Sequence, residues 1–96
     1  MFGLIGKIKA VPGQRDKLIA ILIEGAKDMP GCLSYIVAQD KSDQDAIWVT
    51  EVWKTKANHQ ASLSLASVQK AINLGKPLIA GFGERIETIP FGGHGV

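Results

Sequence analysis

The sequence predicts an α+β fold with elements in the order βαββαβ, an antiparallel sheet carrying its helices on one face. Two observations predict it. Apolar residues recur with a period of two in four short segments and with a period near 3.6 in two longer ones, and the six segments follow one another in that order. The strand segments also carry apolar side chains on both faces, whereas an antiparallel sheet with one solvated face alternates cleanly. A second surface is therefore expected against the sheet.

The opening strand places Phe2, Leu4, Ile8 and Ala10 on one face, and Pro12-Gly13 turns the chain. From Gln14 to Met29, Leu18, Ile19, Leu22, Ile23 and Ala26 fit one stripe of an amphipathic helix. Asp16 suits its first turn, where the helix dipole favours negative charge. Met29-Pro30-Gly31 is expected to end it, because proline cannot continue the backbone ladder. Cys32 to Gln39 is a second strand with Tyr35 and Val37 on one face and Ile36 and Ala38 on the other. The polar run Asp40 to Asp45 joins it to a third strand from Ala46 to about Trp53, giving a hairpin.

Thr55 is a plausible N-cap for a helix from Lys56 to about Asn73, with Leu65, Val68 and Ile72 at compatible spacing and Gly75-Lys76-Pro77 as its stop. Leu78 to Ala80 reads as a short further turn of helix, and Glu84 to Phe91 as the last strand. Residues 92–96, rich in glycine, read as a flexible tail on a single domain spanning 1–96. This order is that of the ferredoxin-like split βαβ arrangement. Ile5, Ile36, Trp48 and Val52 occupy the face away from the helices, so a homodimer packed through that face is expected.

Ninety-six residues bury too little of their surface for a large monomeric core. A hydrophobic fraction of 46% points the same way, to a second subunit. Net charge is +2 with no basic block, which argues against a nucleic-acid partner. The single Cys32 excludes an intramolecular disulfide, and no Cys/His spacing matches a zinc site, so a cytoplasmic protein without a metal is expected. Lys7 and Lys9 interrupt the apolar start, which makes it a poor signal peptide, and no run approaches a membrane span.

The chemistry concentrates in the thirteen residues from Ile47 to His59. Ile47, Val49, Glu51 and Trp53 share one strand face, and His59 follows in the first turns of the next helix. Glu51, Trp53 and His59 can thus share a pocket. The pattern E-x-W-x(5)-H, with Tyr35 upstream, resembles the antibiotic biosynthesis monooxygenase family of small dimeric α+β barrel proteins.

The resemblance implies a cofactor-independent oxygenase or a close relative, with a pocket for an aromatic, quinol-like or small carbonyl substrate. Such an enzyme makes its substrate the electron donor to O2 by deprotonating it, and needs a base, a place for the anion and a dry pocket. His59 is the candidate base, Trp53 a wall and N–H donor, Tyr35 a donor to an oxyanion, and Glu51 an orienting group for His59. A structural bond is the first expectation for Glu51 ahead of a catalytic role, because a buried carboxylate must be paired or hydrogen-bonded. Haem-degrading members of the wider superfamily use an asparagine on the first strand; Phe2 to Val11 contains none. Two further readings stand beside the oxygenase: a non-enzymatic dimeric ligand-binding or sensor module, and an isomerase of a small phosphorylated carbonyl compound. The isomerase would want cations in the pocket, and the nearest, Lys54 and Lys56, are expected at the surface. Trp48 is assigned to the dimer interface and Cys32 to packing, and the position of His94 in the tail argues for no role.

Overall fold

Four strands pair into one antiparallel sheet of order β2-β3-β1-β4. In the computed structural model, which describes all 96 residues, β1 spans Phe2–Ala10, α1 Arg15–Gly25, β2 Cys32–Gln39 and β3 Ala46–Trp53. Then come α2 (Lys56–Ser62), α3 (Ala66–Gly75) and β4 (Ile79–Thr88), with a 3₁₀ turn at Lys76–Leu78 before the last strand. The fold is the expected ferredoxin-like α+β fold.

Register decides which side chains meet. β1 sits between β3 and β4, with Phe2 opposite Trp53 and Leu4 opposite both Glu51 and Glu87. Tyr35 of β2 lies opposite Glu51 from the other side. Residues directly opposite share a face, so Phe2, Leu4, Tyr35, Glu51 and Trp53 all project towards the helices. Two buried clusters form there: Phe2, Leu4, Met29 and Trp53 at one end, Ala10, Leu18, Ile47 and Val49 at the other, with Tyr35 packed against both.

The opposite face carries the row Ile36, Thr50, Ile5 and Ile86 across all four strands. Ile36 is 58% and Ile86 51% exposed. Only 13 of the 96 residues are buried, so most of the apolar surface that the composition promised lies outside the core of one chain.

Three element boundaries differ from the sequence reading. The first helix ends at Gly25, not near Met29. A Cβ on Gly25 would lie 2.4 Å from Cβ of Ala71, so the two helices cross closely at this point, and Asp28 in the left-handed region (φ 55°) then reverses the chain. Met29 is thereby freed from the helix to fill the core beside Trp53, while Ile23 of the expected stripe stays exposed.

The second helix is two helices, broken over Leu63-Ser64-Leu65. Ser62 Oγ donates to the carbonyl of His59 (2.6 Å), and tight turn bonds run from the amides of Leu63, Ser64 and Leu65 back three residues. Serine hydroxyls compete with the helical ladder in this way. The extended backbone at Leu65 lets its side chain pack against the Phe2 cluster. The last strand begins at Ile79 and ends at Thr88, instead of running from Glu84 to Phe91. Its start is fixed by the amide of Val11 donating to the carbonyl of Leu78 (2.8 Å), which ties the 3₁₀ turn to the end of β1.

Candidate functional site

The strand-to-helix handover after Trp53 is built by two local devices. Thr55 caps α2, its Oγ1 accepting from the amide of Asn58 (3.1 Å) while its hydroxyl donates to Asn58 Oδ1 (2.7 Å). Gly31 (φ 79°) lies against Asn58, whose Cγ is 2.4 Å from the position a Cβ would take, and its carbonyl accepts from the amide of Lys54 (2.9 Å). The cap, the turn and the strand end are therefore one unit, and it fixes where His59 points.

His59 points inward. Its ring centroid lies 5.5 Å from that of Trp53 in an edge-on arrangement and 5.4 Å from that of Phe2. The indole N–H of Trp53 donates to Glu51 Oε1 (3.0 Å), and His59 Nε2 stands 4.0 Å from the same oxygen. The Glu51 and His59 side chains are 12% and 14% exposed. Burial pushes the Glu51 carboxyl above the usual glutamate range, against the opposing pull of the indole N–H and of His59. Burial also raises the Tyr35 hydroxyl, with the charge of Glu51 adding to it. The site thus pairs a carboxyl that is harder to ionise than a solvated glutamate with a phenol that keeps its proton. The Cys32 thiol is raised by burial and by Glu51 too, and donates weakly to the carbonyl of Ser34 (3.6 Å).

All four candidate residues, Tyr35, Glu51, Trp53 and His59, line one cavity of about 690 Å³. It lies between the sheet and both α1 and α3, and 14 of its 21 lining residues are hydrophobic. Apart from Lys76 at its edge, the polar groups gather at one end of an otherwise apolar space. That is the form of a small-molecule site, in which a few polar groups fix orientation within an apolar lining.

Three contributors escaped the sequence reading. Alternation along β1 puts Phe2 on the correct face, but its contact with His59 follows only from the Phe2–Trp53 register. Ser62, three residues after His59, is buried on the cavity wall and bonds the His59 carbonyl. Lys76 borders the cavity, whereas Lys54 and Lys56 do not; Lys56 pairs instead with Glu87 (3.5 Å). Trp48 lies on the outer face, its indole N–H donating to Asp40 Oδ1 (2.7 Å) and its ring under the Lys7 ammonium at 5.5 Å. His94 is exposed. No group of three or more His, Cys, Asp or Glu side chains is placed to hold a metal, and no helix is long and apolar enough to cross a membrane.

Comparison with known proteins agrees with this geometry. A crystal structure from Chloroflexus aurantiacus J-10-fl, described as a putative antibiotic biosynthesis monooxygenase, is 67% identical with a TM-score of 0.95, over 97% of this chain and 95% of that one. One of the same description from Deinococcus radiodurans is 22% identical with a TM-score of 0.77, over 97% and 95% of the two chains, and speaks to the fold alone. An uncharacterised protein of Synechocystis sp. is 33% identical in a 55-residue alignment that covers 54% of this chain and 37% of that protein's length. The family model for antibiotic biosynthesis monooxygenases matches residues 1–74, a span that includes Tyr35, Glu51, Trp53 and His59. By that match, and by a sheet and helices that superpose on solved members, the chain belongs to the antibiotic biosynthesis monooxygenase family.

Proposed function

We propose that the chain is a cofactor-independent monooxygenase that oxidises a quinol or polyphenol with O2, acting as a cytoplasmic homodimer. The domain is residues 1–96, with 92–96 as a flexible tail. The observation that carries the reading is the convergence of Tyr35, Glu51, Trp53 and His59 at one end of an apolar cavity.

The chemistry follows from what each group offers. His59 Nε2 accepts the proton of a substrate hydroxyl, and the imidazolium so formed lies 4.0 Å from Glu51 Oε1, close enough for attraction in a poorly solvated site. The phenolate transfers one electron to O2, giving a ring radical and superoxide. Their combination forms a carbon–oxygen bond, and the proton held on His59 converts the peroxide to a hydroperoxide. Loss of water leaves a carbonyl on the attacked carbon. For a hydroquinone, one quinol and one O2 give one hydroxyquinone and one water. The Tyr35 hydroxyl, held protonated by burial, donates to the substrate oxyanion. The apolar walls keep water from the radical pair.

The test is oxygen uptake by the whole protein across a panel of quinols in the presence of chelator. His59→Ala is expected to lower the rate about 10²- to 10⁴-fold, the usual worth of a general base, with substrate affinity changed far less. A wild-type protein that binds these compounds and consumes no oxygen would identify a ligand-binding module instead.

A further inference from the structure

The cavity has a second polar end. Glu51, His59 and Tyr35 occupy the first, where Leu4 of β1 lies opposite Glu51; the second is where Ala10 lies opposite Ile79. Those two positions are six residues apart on β1, about 20 Å at the rise of a strand. Lys76 borders the cavity at the second end, three residues before Ile79 and held there by the bond from Val11 to Leu78. Between the two ends the lining is apolar, with Leu22, Val68 and Ile72 among it.

Lys76 makes no ion pair and no side-chain hydrogen bond with the protein. Its position at the C-terminus of α3 suits the helix dipole, but that use does not require it to border the cavity. The lone carboxylate in the lining, Glu51, is at the far end. A ligand with an anionic terminus would be repelled by Glu51 and attracted by Lys76, so charge alone would orient it along the cavity.

We propose that Lys76 is a specificity-determining residue that receives the anionic end of an elongated, otherwise apolar substrate whose oxidisable ring lies against Tyr35, Glu51 and His59. The identity of the ring end rests on the oxygenase reading; the preference for an anion does not, because it is read from binding alone.

The test is calorimetric binding of three probes with a common skeleton: 8-(2,5-dihydroxyphenyl)octanoic acid, its methyl ester, and the phosphate monoester of the corresponding alcohol. They are titrated anaerobically, so that no turnover intervenes. Wild type is expected to bind one or both anions about 3- to 10-fold more tightly than the ester, a preference that shrinks as salt screens it. Which anion wins distinguishes a carboxylate from a phosphate terminus. Lys76→Gln should abolish the preference and Lys76→Glu should invert it, with ester affinity and the melting transition near wild type. Equal binding of acid, phosphate and ester by wild type, or a preference that survives in Lys76→Gln, overturns the proposal. Failure of the oxygenase reading looks different: the anion preference would hold, yet admitting air would consume no oxygen.

Discussion

Two carboxylates in this chain respond to folding in opposite directions, and each sign can be measured. Burial raises Glu51 above its ordinary value of 4.5. Its contribution to stability is therefore fully present below about pH 4.5 and is lost as pH rises through the raised folded value. Glu51→Gln keeps an acceptor for the Trp53 indole and removes the ionisation, so it should be at least as stable as wild type at pH 7 and lack that loss. Urea midpoints from pH 4 to 8 would show it; a variant destabilised by 1 kcal/mol or more, on the scale of about 1 to 3 kcal/mol for a lost charged hydrogen bond, would mean the ionic bond to Trp53 outweighs burial. Asp40 behaves the other way. The amides of Asp43 and Ser42 and the indole of Trp48 hold its carboxyl down to about 2. The stability it lends is present above its ordinary value of 3.8 and is lost as pH falls towards 2. Asp40→Asn should flatten acid unfolding in that window, read by circular dichroism, and lower stability above pH 5 by an amount that does not vary with pH.

At the scale of elements, the handover from β3 to α2 is where sequence and site are most tightly joined. Thr55→Ala removes the cap and should cost about 1 kcal/mol. Gly31→Ala should cost about 2 kcal/mol or more, since it adds a side chain in the left-handed region and against Asn58. Thermal denaturation checks both, and a neutral Gly31→Ala would contradict the packing described. This handover was legible because its signals are local: alternation from Ile47 to Trp53 fixes one face, and Thr55 marks the cap. The break at Leu63 was not, because Ser62-Leu63-Ser64-Leu65 contains neither proline nor glycine, and what bends the chain is a serine bond together with the burial of Leu65 in a distant cluster. The start of β4 was hidden for a similar reason. Gly81 and Gly83 are poor strand formers, and only pairing with the Ile8 to Ala10 end of β1 makes Ile79 to Phe82 extended. The Phe2–His59 contact and Lys76 at the cavity edge likewise depend on register and on a helix end, neither of which periodicity encodes.

For the whole molecule, the decisive quantity is the apolar surface left uncovered. In the row through Ile36, Ile5 and Ile86, Ile36 and Ile86 are exposed, and Ile5 and the neighbouring Trp48 are partly so, which is the pattern of a surface used for association. Sedimentation at micromolar concentration should give twice the chain mass of 10.3 kDa; a folded monomer there would defeat the homodimer. Trp48→Asp should split or unfold it, because an unpaired carboxylate in an apolar interface costs several kcal/mol. Loss of association without loss of fold would separate the two consequences.

The placement of the two tryptophans on opposite faces of one sheet gives this protein a pair of independent optical reporters. Trp53 is 1% exposed, bonded to Glu51 and in edge contact with His59, whereas Trp48 is partly exposed beside Lys7. Their emission bands should separate, with Trp53 to the blue. A ligand entering the cavity should quench the blue component, and a subunit packing on the outer face should shift the red one. Occupancy and assembly then become two readings from one spectrum, with Trp48→Phe and Trp53→Phe assigning each band to its side of the sheet.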